Sequence, residues 1–314
     1  MGIKRCAFLL ALPLFAQQKL PNIAVRDASI LADADSRTYY LYARAERGDV
    51  VFYKSKDLAG WEGPSPLFQI PEGSWANPAQ GARDPRVYFY RGKYYLFATL
   101  ANSDKVIAKP PDSWRVNSMQ GTQVFAGDSP EGPFRAVPNS ANKPYTPENF
   151  VALGGAFYVE GDLAWLVYAH DWTQLVDANI EAIRLKADLS APVEDPLYVF
   201  KASDAPWLPG ERTTSREPRY YPAGGPSVYR TRNGGLVLAW SSPRNGKPAL
   251  ALARSVTGKI RGPWKQEASL GAGSQPTIFK AFDGRLMMLF NDGAVKLAEM
   301  EDTGDTIRKK VVKK

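Results

Sequence analysis

The chain has 314 residues, 44% of them hydrophobic and 23% charged, with a formal net charge of +8. That is an ordinary soluble, globular balance with ample chain for a large core. Aromatic residues reach 12%, and 26 Gly and 25 Pro punctuate short apolar runs, so the composition favours many short strands joined by turns and excludes an architecture of long helices. Apart from the C-terminal IRKKVVKK the basic residues are dispersed, which argues for solubility and against a nucleic-acid partner.

The first segment, MGIKRCAFLLALPLFAQQ, has a basic start at Lys4 and Arg5, an apolar run over residues 6–15 and a small residue, Ala16, before polar sequence. Those three parts make a signal peptide over residues 1–17, too short to span a membrane, and imply a periplasmic or secreted protein. The one cysteine, Cys6, lies inside it, so the mature chain has no disulfide and no thiolate metal site. No other run is long enough for a membrane span.

From residue 18 to 304 a unit repeats five times. It consists of an inner strand, a turn, a strongly apolar strand and a third strand. The first unit contains RDASILADADSRTYYLYAR, the second RDPRVYFYRGKYYLFATL and the third GGAFYVEGDLAWLVYAHDW. The fourth contains GGPSVYRTRNGGLVLAWSS and the fifth SQPTIFKAFDGRLMMLFND. The second strands are near-continuous apolar runs, as expected where both faces of a sheet are covered. A period of roughly 50–70 residues fits propeller blades carrying loop insertions. The predicted fold is all-β, a single-domain five-bladed β-propeller, followed by a solvated basic tail over residues 305–314.

In a propeller the starts of the five inner strands converge on one end of the axial channel. The sequence puts Asp27, Asp84, Gly154, Gly224 and Gln275 there. Linkers rich in Pro, Gly and Trp, such as KASDAPWLPGERTTSREPRYYPA, are expected to wall the mouth.

The stretches RDASIL, YKSKDLAGWEGP, GKYYLFATL, VYAHDWTQ, VYRTRNGGLVLAWSS and SVTGKIRGPWKQ, spread over all five units, resemble glycoside hydrolase family 43 and its five-bladed relatives. The resemblance implies inverting hydrolysis of arabinosyl or xylosyl linkages. An aspartate in blade one is then the general base, an aspartate in blade three tunes a pKa, and a glutamate in blade four is the general acid. Asp27 matches the base. Gly154 and Gly224 stand where the other two acids are expected, and Gln275 where relatives often carry a histidine. The Arg-Asp-Pro at residues 83–85 is similar to the invertase-type propellers, which implies a sugar-binding, transition-state-stabilising role for Asp84. Some relatives also hold a calcium or sodium ion in the channel. No Asp-rich calcium loop occurs in the sequence; no cofactor is expected, and a channel calcium or sodium ion stands as the alternative that the resemblance implies.

Loops offer replacements for the absent acid: Glu217 in TTSREPRYYPAGGP, with Glu148 in YTPENF as the weaker candidate. Arg26, Arg83 and Arg216 are placed to orient carboxylates or bind an anionic sugar such as a uronic acid. Trp75, Trp172, Tyr220 and Tyr221 lie in connecting segments, where aromatic faces suit sugar rings. His170, the single histidine, is assigned a structural or sugar-contacting role. The expected partner is an oligosaccharide or polysaccharide, bound by a monomer. Two further readings stand beside hydrolysis: a carbohydrate-binding propeller without turnover, favoured by the two glycines, and a structural or protein-binding propeller.

Overall fold

The computed structural model describes residues 17–46, 48–111, 114–212, 214 and 218–311. Most of the predicted signal peptide, residues 1–16, lies outside the described residues.

Five antiparallel sheets follow one another along the chain, each with its strands in sequence order from the axis outward. Blade one consists of Arg26–Asp33, Thr38–Arg44, Val50–Ser55 and Glu62–Phe68. Blade two consists of Arg83–Tyr90, Lys93–Ala108, Asn117–Gly127 and Arg135–Ala136. Blade three is Ala152–Glu160, Leu163–His170, Asn179–Leu185 and Leu197–Lys201. Blade four is Gly224–Arg230, Leu236–Arg244, Lys247–Ser255 and Trp264–Gln266, with Gly271–Ala272 also paired to its third strand. Blade five is Ser274–Lys280, Leu286–Asn291, Val295–Asp302 and Ile307–Lys309.

The five inner strands touch their neighbours in a closed cycle, the last returning to the first. Each blade is therefore sandwiched, and the second strands are buried on both faces. Leu41, Tyr42, Leu166, Val167, Leu238 and Trp240 have no exposed surface. Burying a side chain of this size contributes roughly 1.5–3 kcal/mol before conformational entropy is subtracted.

Closure between blades one and five uses side chains rather than a shared strand. Leu20, Ile23, Ile30, Tyr39 and Leu41 pack with Phe279, Met287 and Leu289, and the Tyr39 hydroxyl accepts from Phe282 N at 2.8 Å. The basic segment expected as a free tail is corrected in one respect. Ile307–Lys309 pairs with Val295–Asp302 as the outer strand of blade five, because Ile307 is buried there.

The chain turns outward-to-inward on one face of the disc. On that face lie the linkers between blades and the loops that join each second strand to its third. One of these is enlarged. The Lys93–Ala108 strand runs 16 residues and, with Asn117–Gly127, projects a long hairpin over the mouth.

Candidate active site

Each inner strand begins with the same irregularity. In blades one, two, four and five the pairing register shifts after Arg26, Arg83, Gly224 and Ser274, and blade three shifts between Val167 and Ala169 on the partner strand. The residue at this bulge is left-handed in all five blades: Asp27 at φ 55°, Asp84 at 50°, Gly154 at 67°, Gly225 at 59° and Gln275 at 52°. The blade-four position is therefore Gly225, one residue beyond the expected Gly224. Left-handed geometry costs an L-residue roughly 1–2 kcal/mol, and strain of this kind concentrates at functional sites. Three of the five positions bear that cost with polar side chains, and those three meet.

Gln275 holds the other two. Its Nε2 donates at 2.8 Å to Asp27 Oδ1 and at 2.8 Å to Asp84 Oδ1, while its Oε1 accepts from Asn291 Nδ2 at 2.9 Å. Both amide protons are thereby committed to the carboxylates, and Asn291 fixes the amide's orientation. The expected convergence of Asp27 and Asp84 is present, with Gln275 as the link.

Burial and the adjacent Asp27 charge push Asp84 up to about 6, against the opposing pull of Arg83, Arg86 and a Thr99 hydrogen bond. Arg86 is buried and donates to Pro276 O at 3.4 Å. The Arg83 guanidinium reaches Gln120 Oε1 at 2.5 Å. Because a single nitrogen bonds both carboxylates, their nearest oxygens lie within two hydrogen-bond lengths. An inverting acid and base must stand roughly 6.5–9.5 Å apart to admit water and sugar. Asp84 therefore stands beside Asp27, joined to it through Gln275.

The opposite sector of the mouth is built from backbone. A Cβ on Gly225 would lie 2.7 Å from Gln275 Cα, and one on Gly154 would lie 3.2 Å from Gly225 N. Gly224 is different. Nothing lies within 4 Å of the position its Cβ would take, and it borders a hollow of about 270 Å³ lined in part by Asp171, Trp172, Ser241, Ser242 and Ser274.

Asp171 was not among the residues singled out for chemistry. Its carboxylate accepts from Thr173 N at 2.8 Å, capping the short helix Trp172–Leu175. Burial raises its pKa, against Thr173, His170 and Arg83. The sequence signal was weak: an Asp after a buried strand reads first as a helix cap.

The aromatic rim is partly as expected. Trp172 and Tyr220 stack with centroids 4.2 Å apart. Trp114, on the blade-two hairpin and missed in the sequence, joins them at 5.7 and 5.9 Å and donates from Nε1 to Trp172 O at 3.2 Å. The Arg115 guanidinium lies 4.5 Å from the Trp114 ring. Tyr221 is half-buried beside the blade three–four core and joins the rim through backbone bonds to Val176 and Ala178.

Two expected sugar contacts are corrected. Trp75 is buried in the blade one–two core and its Nε1 donates to Gln123. His170 is 4% exposed, stacked on Phe150, with Nδ1 3.1 Å from Glu181 Oε1 and Nε2 2.9 Å from Gln174 Oε1. Both ring nitrogens are occupied inside blade three, which fits the structural role. Arg26 is exposed beside Asp27. Glu148 is exposed and faces Lys143 at 3.8 Å. Glu217 and Arg216 lie outside the described residues. Among the described residues no group of three acidic, His or Cys side chains could hold a metal ion, and no helix is long and apolar enough to cross a membrane.

Residues 21–271 match the family described as Glycosyl hydrolases family 43. The chain is similar to the solved structure of an endo-arabinase from Bacteroides thetaiotaomicron, with 31% identity, a TM-score of 0.79 and coverage of 95% of this chain and 98% of that one. An endo-1,4-beta-xylanase from the same organism matches at 17% identity, TM-score 0.68, covering 95% and 97%. An alpha-L-arabinofuranosidase from Lactobacillus brevis matches at 14% identity, TM-score 0.66, covering 92% and 96%. These two lower identities speak for the fold alone. No curated protein matches the chain in sequence. The match across most of the propeller, together with the endo-arabinase likeness over nearly the whole chain, makes this chain a member of glycosyl hydrolase family 43.

Proposed function

We propose that the protein is an exported glycosidase that hydrolyses arabinosyl or xylosyl linkages with inversion, and that Asp27 is its general base. The observation that carries this reading is the Asp27–Gln275–Asp84 cluster at the channel mouth. Gln275 steers one oxygen of Asp27, leaving the carboxylate anchored while it takes a proton from water. Asp84, held toward its neutral form, lessens charge repulsion at the base and offers an O–H to a sugar hydroxyl. The leaving oxygen needs a proton from the far side of the mouth. Asp171 lines the hollow there, and its raised pKa suits a donor. Glu217, in the linker that precedes Gly224, is the other donor candidate. The Trp172–Tyr220 rim supplies an apolar face for a sugar ring.

The test is turnover of aryl arabinofuranoside and xyloside by the wild type and by Asp27→Asn. Loss of roughly two to four orders of magnitude in kcat/KM is expected, and unchanged turnover by the variant would end the assignment. The glycines at 154 and 224 favour a second reading, a glycan-binding propeller without turnover. It predicts oligosaccharide binding that depends on Trp172 and Tyr220, with no hydrolysis by the wild type. Export rests on the N-terminal sequence, and the mature N-terminus determined from exported protein checks it.

A further inference from the structure

Arg26 and Arg44 stand directly opposite one another in the antiparallel pair that opens blade one. Like charges in that relation disfavour the sheet, so the arrangement calls for a compensating anion. Among the described residues neither guanidinium has a carboxylate within ion-pair distance. Arg44 donates to Gln80 O at 3.4 Å, and Arg26 is exposed. Both line a hollow of about 380 Å³ whose other walls are Ala24, Val25, Ala45 and Glu46. Arg26 is the residue before Asp27, so one wall of the hollow is joined directly through the chain to the proposed base.

The charge in this sector also points to an anion. The lining carries two cations, Arg26 and Arg44, against one acid, Glu46. A net positive charge remains. Paired guanidinium forks match the planar oxygens of a carboxylate.

We propose that the Arg26–Arg44 hollow is an anionic-sugar subsite that receives the carboxylate of a uronic acid neighbouring the sugar at Asp27. The proposal rests on Asp27 marking the sugar-facing end of the channel, and it extends the substrate class from neutral pentosyl chains to those bearing uronate. Arg44 is the partner that the sequence did not reveal, because the two arginines are 18 positions apart and become neighbours only through strand register.

The experiment is calorimetric titration of the full chain with an aldotetraouronic acid, with neutral xylotetraose and with a sulfated xylo-oligosaccharide of equal length. It uses the wild type, Arg26→Ala, Arg44→Ala and the double variant. The acidic ligand is expected to bind about tenfold more tightly than the neutral one. The preference falls in each single variant, vanishes in the double variant, and weakens above about 0.1 M salt. Thermal melting should show the variants at least as stable as the wild type, since a like-charge pair is removed. Equal affinity for the acidic and neutral ligands, or a preference that survives in the double variant, overturns the subsite. Equal preference for the sulfated ligand overturns its carboxylate assignment. Binding is read without turnover. Arginine-dependent uronate binding with no hydrolysis therefore leaves the subsite standing while the glycosidase reading fails, and Asp27-dependent hydrolysis with no uronate preference does the reverse.

Discussion

The mouth of the channel has two unlike halves made on one template. On the side of blades one, two and five, the left-handed bulge positions carry Asp27, Asp84 and Gln275, joined by hydrogen bonds. On the side of blades three and four the same positions are Gly154 and Gly225, and their backbones approach one another and Gln275 closely. The fold provides five equivalent sites, and the side chain at each decides whether it becomes chemistry or packing. The two glycines that stand where acids were expected also differ in their surroundings. At Gly154 the backbone of the next blade has closed in, whereas at Gly224 the space is open.

The largest effect should break the first half. Asp27→Asn is expected to lower kcat/KM by roughly two to four orders of magnitude with little change in melting temperature. A loss of that size from Gly224→Ala instead would move the chemistry to the other half.

The second half is tested by stability. Gly225→Ala places a Cβ against Gln275 Cα and forces an L-residue into the left-handed region. A cost of about 2–3 kcal/mol by denaturant titration is expected. Gly224→Ala, which meets open space, should stay within about 0.5 kcal/mol of the wild type. Equal costs at the two positions would remove the distinction between closed and open sites.

Asp84 sharpens the comparison through pH. Its folded value, about 6, lies above the ordinary 3.8, so the folded state holds the proton more tightly than the unfolded chain does. The stabilisation is complete below the unfolded value and is lost as pH rises through about 6. Asp84→Asn cannot lose it. The variant should therefore gain melting temperature relative to the wild type between about pH 4 and about pH 8. If neutral Asp84 assists the sugar, the wild type also loses kcat/KM as pH rises through about 6, and the asparagine variant does not. A limb that persists in the variant assigns it to another group.

The smallest effect is a control on the rim. Glu148 is exposed and pairs with Lys143 at 3.8 Å. Glu148→Gln should change activity by less than about twofold and stability by under about 0.5 kcal/mol.

Much of this was legible in the chain. Apolar second strands such as LVLAW and LMMLF repeat at blade spacing, and strands buried on both faces must read that way, so the five-bladed ring follows from pattern. Asp27 and Asp84 share an Arg-Asp start and a place in the repeat, and their convergence follows from the symmetry. The basic end was read less well. Ile307 looked like part of a charged tail, but one apolar residue facing a core suffices to dock a strand.

The sequence by itself determined the repeat, the buried strands and four of the five residues at the axis, because periodicity and composition are local properties. Tertiary structure decided the rest. It made Gln275 a clamp and Trp75 and His170 interior, brought Asp171 to the hollow at Gly224, and set Arg26 beside Arg44. Those outcomes depend on distances between blades and on strand register. Long-range packing sets both, and a one-residue shift such as that from Gly224 to Gly225 changes which atom meets the channel.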